Sequence, residues 1–186
     1  LLARYFMYSQ VYFHPVRRIY DMHLKEYLAE MLPGGRFPTT IERHLSMTDH
    51  EILVDLRKTG LVGGMPGSVH AERIIKRHHF KRLYERNPTD YEKNQQSAVL
   101  IKEAAEKKYG TENIRFDNPS QKGESIDFPV LMKDLRVESS RSLSQVLNQI
   151  PVVKTEYVFI HRDLEREASQ WLNSERSGII NPGEGR

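Results

Sequence analysis

Leu1-Leu2-Ala3-Arg4-Tyr5-Phe6-Met7-Tyr8-Ser9-Gln10-Val11-Tyr12-Phe13-His14-Pro15 is the most apolar and aromatic stretch of the chain. Leu1, Tyr5, Tyr8, Tyr12, Val16 and Ile19 recur at helical spacing and so share one face, with Leu2, Phe6 and Phe13 on an adjacent one. Pro15 lacks an N–H and clashes with the preceding turn, which predicts a break near His14. A second helical segment over 16–31 then runs into Pro33-Gly34-Gly35, a strong stop. This start reads like the middle of an apolar helix, so the chain is expected to begin inside a larger protein.

Beyond it, residues 36–47 predict a short helix at most. Thr48-Asp49-His50-Glu51 has the spacing of a capping box, ahead of a helix over 49–58. Gly60 to Gly67 reads as a loop. The basic segment 68–86 holds Arg73, Lys76, Arg77, Lys81, Arg82 and Arg86, with His70, His78 and His79 among them. Its apolar residues make no single stripe, which predicts a break near His78-His79. A polar helix over 92–108, carrying Val99, Leu100 and Ala104, closes at Gly110. Strands are predicted at 113–116, at 128–132 with Pro129 at its start or on an edge, and at 152–160. Ser142-Leu143-Ser144-Gln145 reads as a second capping box before Val146, Leu147 and Ile150. Leu164, Ala168 and Leu172 mark a helix ending near Asn173, followed by a tail expected to be disordered. The expectation is an α+β protein: a helical half over 1–87, an α-β-β-α-β-α lobe over 88–174, and a polar tail over 175–186.

Composition narrows the chemistry. Of 186 residues 38% are apolar and 28% charged, enough for a packed core. No run approaches the roughly 18 apolar residues of a membrane span. Cysteine is absent, which removes disulfides, thiolate metal sites and cysteine nucleophiles and fits a reducing cytoplasm. The net charge of +3 is small for a dedicated nucleic-acid binder. No phosphate-loop, nucleophile-elbow, His-Glu-x-x-His or dinucleotide motif occurs, and Gly63-Gly64 with Gly67 is too sparse for a phosphate cradle. A metal would need His and carboxylates. His78 and His79 diverge on a helix, and Asp163 of His161-Arg162-Asp163 reads as a helix cap. The basic segment reads as a solvated face, an anion site or a binder of nucleic-acid phosphates. Tyr5, Tyr8 and Tyr12 with Arg4 read equally as core or as a ligand wall, since buried phenols and an Arg beside an apolar face need partners.

The stretch from Leu2 to His14 resembles the helix that follows the metal site in HD-domain phosphohydrolases, the dGTPase-like deoxynucleoside triphosphate triphosphohydrolases above all. The resemblance continues through Thr48-Asp49-His50-Glu51-Ile52-Leu53, Glu72-Arg73-Ile74-Ile75-Lys76-Arg77, Phe128-Pro129-Val130 and Val158-Phe159-Ile160. It implies a metal-activated water that attacks the α-phosphorus of a dNTP, releasing deoxynucleoside and inorganic triphosphate. The chain has no His-Asp dipeptide, so the divalent-metal ligands are expected upstream of Leu1, with no ion bound and no catalysis by this chain alone. The resemblance implies substrate binding by Arg4 at the phosphates, Tyr8 near the reacting phosphate and Tyr12 against the deoxyribose. It implies an activating-nucleotide site at His14 and Lys81 between subunits of a homo-oligomer. Pro15 and Glu85 depart from the pattern, standing where basic residues contact the activator. The alternative reading is a non-enzymatic binding or oligomerisation module built on the aromatic helix.

Overall fold

The computed structural model describes residues 2–120, 127–149 and 154–181. The positions assigned above to Leu1, 121–125, Ile150, 152–153 and 182–186 lie outside the described residues. The architecture is mixed α+β: helices around a three-stranded antiparallel sheet, with a separate two-stranded sheet.

The N-terminal stretch forms α1 (Leu2–Phe6), a π-helical segment (Met7–Tyr12) and, after a break at Phe13–His14, α2 (Pro15–Met31). Pro15 sits at the first turn, where its missing N–H costs nothing, and the His14 side chain caps by accepting from Val16 N–H. Gly34, at φ 65°, ends the run. α3 (Ile41–Ser46) is short, as expected. α4 (Asp49–Val62) starts at the capping box, in which Glu51 Oε2 accepts from Thr48 N–H at 2.7 Å. It runs past the expected end through Gly60. The loop reading failed there because the glycine serves a helix contact: a Cβ at Gly60 would lie 2.9 Å from the Ala71 carbonyl oxygen of α5 (Ser68–Ile75).

The basic segment does break near His78-His79. After α5, Arg77 takes a left-handed conformation (φ 56°), and residues Lys81–Glu85 form β1. The expectation of helices alone up to residue 87 is therefore corrected. Leu83 and Tyr84 do not fit a helical period because the chain here is a strand with a register irregularity between Arg82 and Tyr84, which lets Leu83 pack against the same core as Tyr84.

α6 (Pro88–Lys93) and α7 (Ser97–Tyr109) replace the single polar helix, and α7 ends at Gly110 (φ 87°). Its buried face is Ala98, Ile101 and Ala105, not Val99, Leu100 and Ala104. Ala98 and Ala105, at i and i+7, let the helix lie close on the sheet, and Ile101 between them fills the core. β2 (Ile114–Asp117), β3 (Pro129–Leu131) and β4 (Val137–Ser139) follow; β4 was missed, and Pro129 opens β3. α8 (Ser140–Leu143) and α9 (Gln145–Gln149) are capped by Ser139 and Ser144, which accept from Arg141 and Leu147 N–H, so Ser142 caps neither. β5 (Tyr157–Ile160) leads through a 3-10 turn into α10 (Glu165–Ile180), which extends beyond Asn173 and buries Ile180. At the start of that turn His161, not Asp163, is the cap: its ring accepts from Asp163 N–H.

The sheet order is β1-β5-β2, so strands from both halves of the chain flank β5. Lys81 and Ile114 both pair with Ile160, and Glu85 and Asp117 both pair with Tyr157. All four β5 residues are buried. Period-two alternation sends Val158 and Ile160 into a core with Tyr84, Ile101, Ile114, Ala168 and Leu172, under α7 and α10. Tyr157 and Phe159 face the other way, onto Ile19 of α2 and Phe80. Tyr27, Leu56 and Ala71 make a third cluster joining α2, α4 and α5. Burying a side chain such as Phe159 or Ile19 contributes about 1.5–3 kcal/mol each. Among the described residues, no helix is long and apolar enough to cross a membrane.

Candidate functional site

The face of the sheet toward α2 leaves a cavity of about 540 Å³. Its polar lining includes Ser9, Gln10, His14, Lys81, Arg82 and Glu85, and its apolar wall includes Ile19, Phe80, Tyr157 and Phe159. Each contribution follows from the local fold. The break before Pro15 turns His14 out of the helical row, and its Nδ1 is held by Val16 N–H, leaving Nε2 open. β1 begins at Lys81, which forms no ion pair among the described residues. Arg82, by contrast, is tied to Glu85. Tyr157 fixes the wall to the break itself, donating from its phenol to the Phe13 carbonyl at 2.8 Å. Burial, the leading cause, raises the Tyr157 phenol above its ordinary value and keeps it a donor. The cavity thus offers an ammonium, an imidazole and aromatic faces, a donor set suited to phosphate and a flat ring.

His14 and Lys81, 67 positions apart in sequence, line this one cavity. Arg4, Tyr8 and Tyr12 form a second group outside it. The Arg4 guanidinium lies over the Tyr8 ring at 5.5 Å, and Tyr8 packs on Tyr12 at 5.3 Å and on Phe13 at 5.4 Å. The π-helical winding, with Phe13 N–H reaching Tyr8 O at 2.9 Å, stacks these rings in place of the expected α-helical stripe. Arg4 and Tyr12 are exposed, Tyr8 half-buried, and Arg4 forms no ion pair among the described residues. The row is therefore surface in this chain, not core.

The basic segment does not form one positive face. Lys76 pairs with Glu72, Arg82 with Glu85 and Arg86 with Glu156. His78 and His79 part company: His79 packs on Tyr20, while His78 lines a separate cavity of about 370 Å³ with Arg73, His161 and Arg162.

One cluster went unread in the sequence. His23 and Glu26, one turn apart on α2, meet His70 from the first turn of α5. Glu26 Oε2 lies 3.3 Å from His23 Nδ1 and 2.9 Å from His70 Nδ1, while its Oε1 accepts from Arg115 Nε. His70 Nε2 reaches Glu30 Oε1 at 3.2 Å, and Phe80 N–H points at His23 Nε2 from 3.4 Å. Burial raises the Glu26 carboxyl, but hydrogen bonds from His23, His70 and Arg115 outweigh it and hold the group well below the carboxylate range. Burial pushes the His23 imidazole down, favouring its neutral form. The only signal in the sequence was His23-x-x-Glu26 at i, i+3; nothing local pointed to His70, 44 positions further on.

Helices packed on both faces of a small antiparallel sheet, with a cavity of basic and aromatic lining at one face, define a mixed α+β module. Residues 1–155 match the family described as the HD associated region, and the chain belongs to that family. Among solved structures, it is similar to a hypothetical protein from Aquifex aeolicus, with 29% identity and a TM-score of 0.74 over 92% of this chain and 43% of that one. It is also similar in fold to a phosphohydrolase from Bacteroides thetaiotaomicron VPI-5482, with 16% identity and a TM-score of 0.56 over 87% of this chain and 48% of that one. The chain spans less than half the length of either. No curated protein matches it.

Proposed function

We propose that this chain is the nucleotide-handling C-terminal region of an HD-superfamily phosphohydrolase that cleaves dNTPs to deoxynucleoside and inorganic triphosphate. In this reading the catalytic divalent ion is held by the HD half, where it lowers the pKa of a bound water and stabilises phosphoryl charge. The residues of this chain position the substrate. Arg4 binds the triphosphate, its planar fork matching phosphate oxygens. Tyr8 borders the reacting phosphate, and the Tyr12 ring packs against the deoxyribose and leaves little room for a 2′-hydroxyl. The cavity between α2 and β1 takes a second, activating nucleotide, with Lys81 and the open nitrogen of His14 on its phosphates and Tyr157 and Phe159 beside its ring. Glu85 and Pro15 leave that cavity less basic than the family pattern, so it takes fewer phosphate contacts.

The observation that carries this reading is the convergence of His14 and Lys81 on one aromatic-walled cavity of about 540 Å³. The test is equilibrium binding of dNTPs to the whole protein. Lys81→Ala should weaken the activating nucleotide at least about tenfold, the loss of one charge-assisted contact. Unchanged nucleotide affinity in Lys81→Ala and His14→Ala together would remove the cavity from the account.

A second reading rests on Leu2, Phe6, Met7 and Val11, which are 43–49% exposed on the N-terminal helix. Such a row fits an oligomerisation module with no chemistry of its own. A monomer in sizing chromatography at high protein concentration would count against it.

A further inference from the structure

We propose that His23, Glu26 and His70 form a site for a borderline divalent transition ion such as Zn²⁺, separate from the ion expected on an HD half. Their ligand atoms all lie within 4.8 Å of one another. Ligands of a tetrahedral ion with bonds of about 2.0–2.1 Å stand roughly 3.3–3.4 Å apart. Glu26 Oε2 is already 3.3 Å from His23 Nδ1, and its 2.9 Å approach to His70 Nδ1 needs to open by only a few tenths of an ångström. Two imidazoles and one carboxylate, with water in the fourth position, suit Zn²⁺ and its first-row neighbours rather than Mg²⁺ or Ca²⁺.

The surroundings are those of a supported ligand set. Glu30 receives the second ring nitrogen of His70, the carboxylate–imidazole arrangement that orients a metal-bound histidine. Glu30 also accepts from Gly67 N–H at 2.8 Å, which anchors α5 to α2 beneath the site. Arg115 holds the other oxygen of Glu26, leaving Oε2 for the ion. His23 is fully buried and His70 nearly so, with access from the Glu26 side.

Without an ion, Glu26 Oε2 faces the Nδ1 atoms of both imidazoles, the atoms an ion between them would take as ligands. A ring that binds the ion through Nδ1 carries its hydrogen on Nε2, which at His70 is aimed at Glu30. At His23 the same arrangement gives up the long contact with Phe80 N–H. Arg73, with a terminal nitrogen 3.4 Å from His70 Nδ1, adds repulsion. Both effects make the site exchangeable, with affinity on the order of micromolar rather than that of a structural zinc finger.

The test uses the protein freed of metal by chelator. Zn²⁺ titration should show one equivalent bound by this region, and Co²⁺ should give the visible bands of a low-coordinate nitrogen–oxygen site. His70→Asn, which leaves the buried His23 untouched, should abolish both signals, while His78→Ala should keep them. Glu26→Gln is a second check, its fold verified by circular dichroism. No uptake at sub-millimolar Zn²⁺, or uptake that survives both His70→Asn and Glu26→Gln, would overturn the proposal.

Discussion

Replacing Gly60 by alanine sets two effects of known size against each other. In an exposed helix interior the change favours the helix by about 1 kcal/mol. At Gly60 the new Cβ would stand 2.9 Å from Ala71 O, 3.0 Å from Ala71 C and 3.2 Å from Glu72 N. All three are backbone atoms, which cannot rotate away, so α5 must retreat from α4 by several tenths of an ångström. α5 is not free to do so. Ala71 is fully buried against Tyr27 and Leu56, and Glu30 holds Gly67 N–H at its start. Overpacking of this kind costs about 1–3 kcal/mol, so after the helix gain the net effect is a loss of about 0–2 kcal/mol, centred near about 1 kcal/mol. Gly178 supplies the control. It lies inside α10 with nothing within 4 Å of an added Cβ, so Gly178→Ala should stabilise by up to about 1 kcal/mol. Urea unfolding of both variants, at an unchanged slope of about 2 kcal/mol per molar, should move the midpoints in opposite directions, by about 0.5 M each. A Gly60→Ala protein as stable as Gly178→Ala would refute the close approach of α4 and α5.

Three further outcomes follow from specific contacts. Burial pushes the Tyr84 phenol up to about 12, helped by Asp90 and opposed by Ser97. Its contribution is therefore complete below the unfolded value of about 10 and is lost as pH rises from there through about 12, for a total of about 2–3 kcal/mol. Urea unfolding of wild type and Tyr84→Phe should show the gap between them shrinking across that window, and a pH-independent gap would sink the assignment. Arg18 reaches Asp117 through Nε at 2.7 Å and a terminal nitrogen at 2.9 Å, tying α2 to β2. Asp117→Asn should destabilise by about 1–3 kcal/mol, with most of the loss absent when Arg18 is already glutamine; additive losses in that double-mutant cycle would contradict a direct pair. Thr48→Ala removes half of the α4 capping box and should cost about 1 kcal/mol in thermal unfolding, whereas no loss would mean that Glu51 alone satisfies the terminus.

Much of the fold was readable because local chemistry and tertiary context agreed. The break before Pro15, the stop at Gly34, the capping box at Thr48 and the strand ending at Ile160 are each decided within a few residues. The misplaced caps at Ser142 and Asp163 are shifts of two or three residues, but in the larger misreadings a distant partner overruled a local signal. Gly60 continues a helix because Ala71 lies against it, and residues Lys81–Glu85 extend as a strand because β5 offers a ladder, Tyr84 opposite Val158 and Glu85 opposite Tyr157. The candidate site divides the same way. His14 and Lys81 could be named singly from the resemblance to HD-domain phosphohydrolases, but their shared cavity depends on β1 lying beside β5. His70 could not be joined to His23 and Glu26 at all, because the packing of α5 on α2 leaves no periodic trace in sequence.

The most direct measurement is release of inorganic triphosphate from dNTPs by the whole protein, wild type against Arg4→Ala and Tyr12→Ala. The account predicts metal-dependent release by wild type and a fall of about a hundredfold or more in kcat/KM for each variant, the size of a lost phosphate or sugar contact in the transition state. Wild-type kinetics in both variants, or no triphosphate from any dNTP, would contradict it.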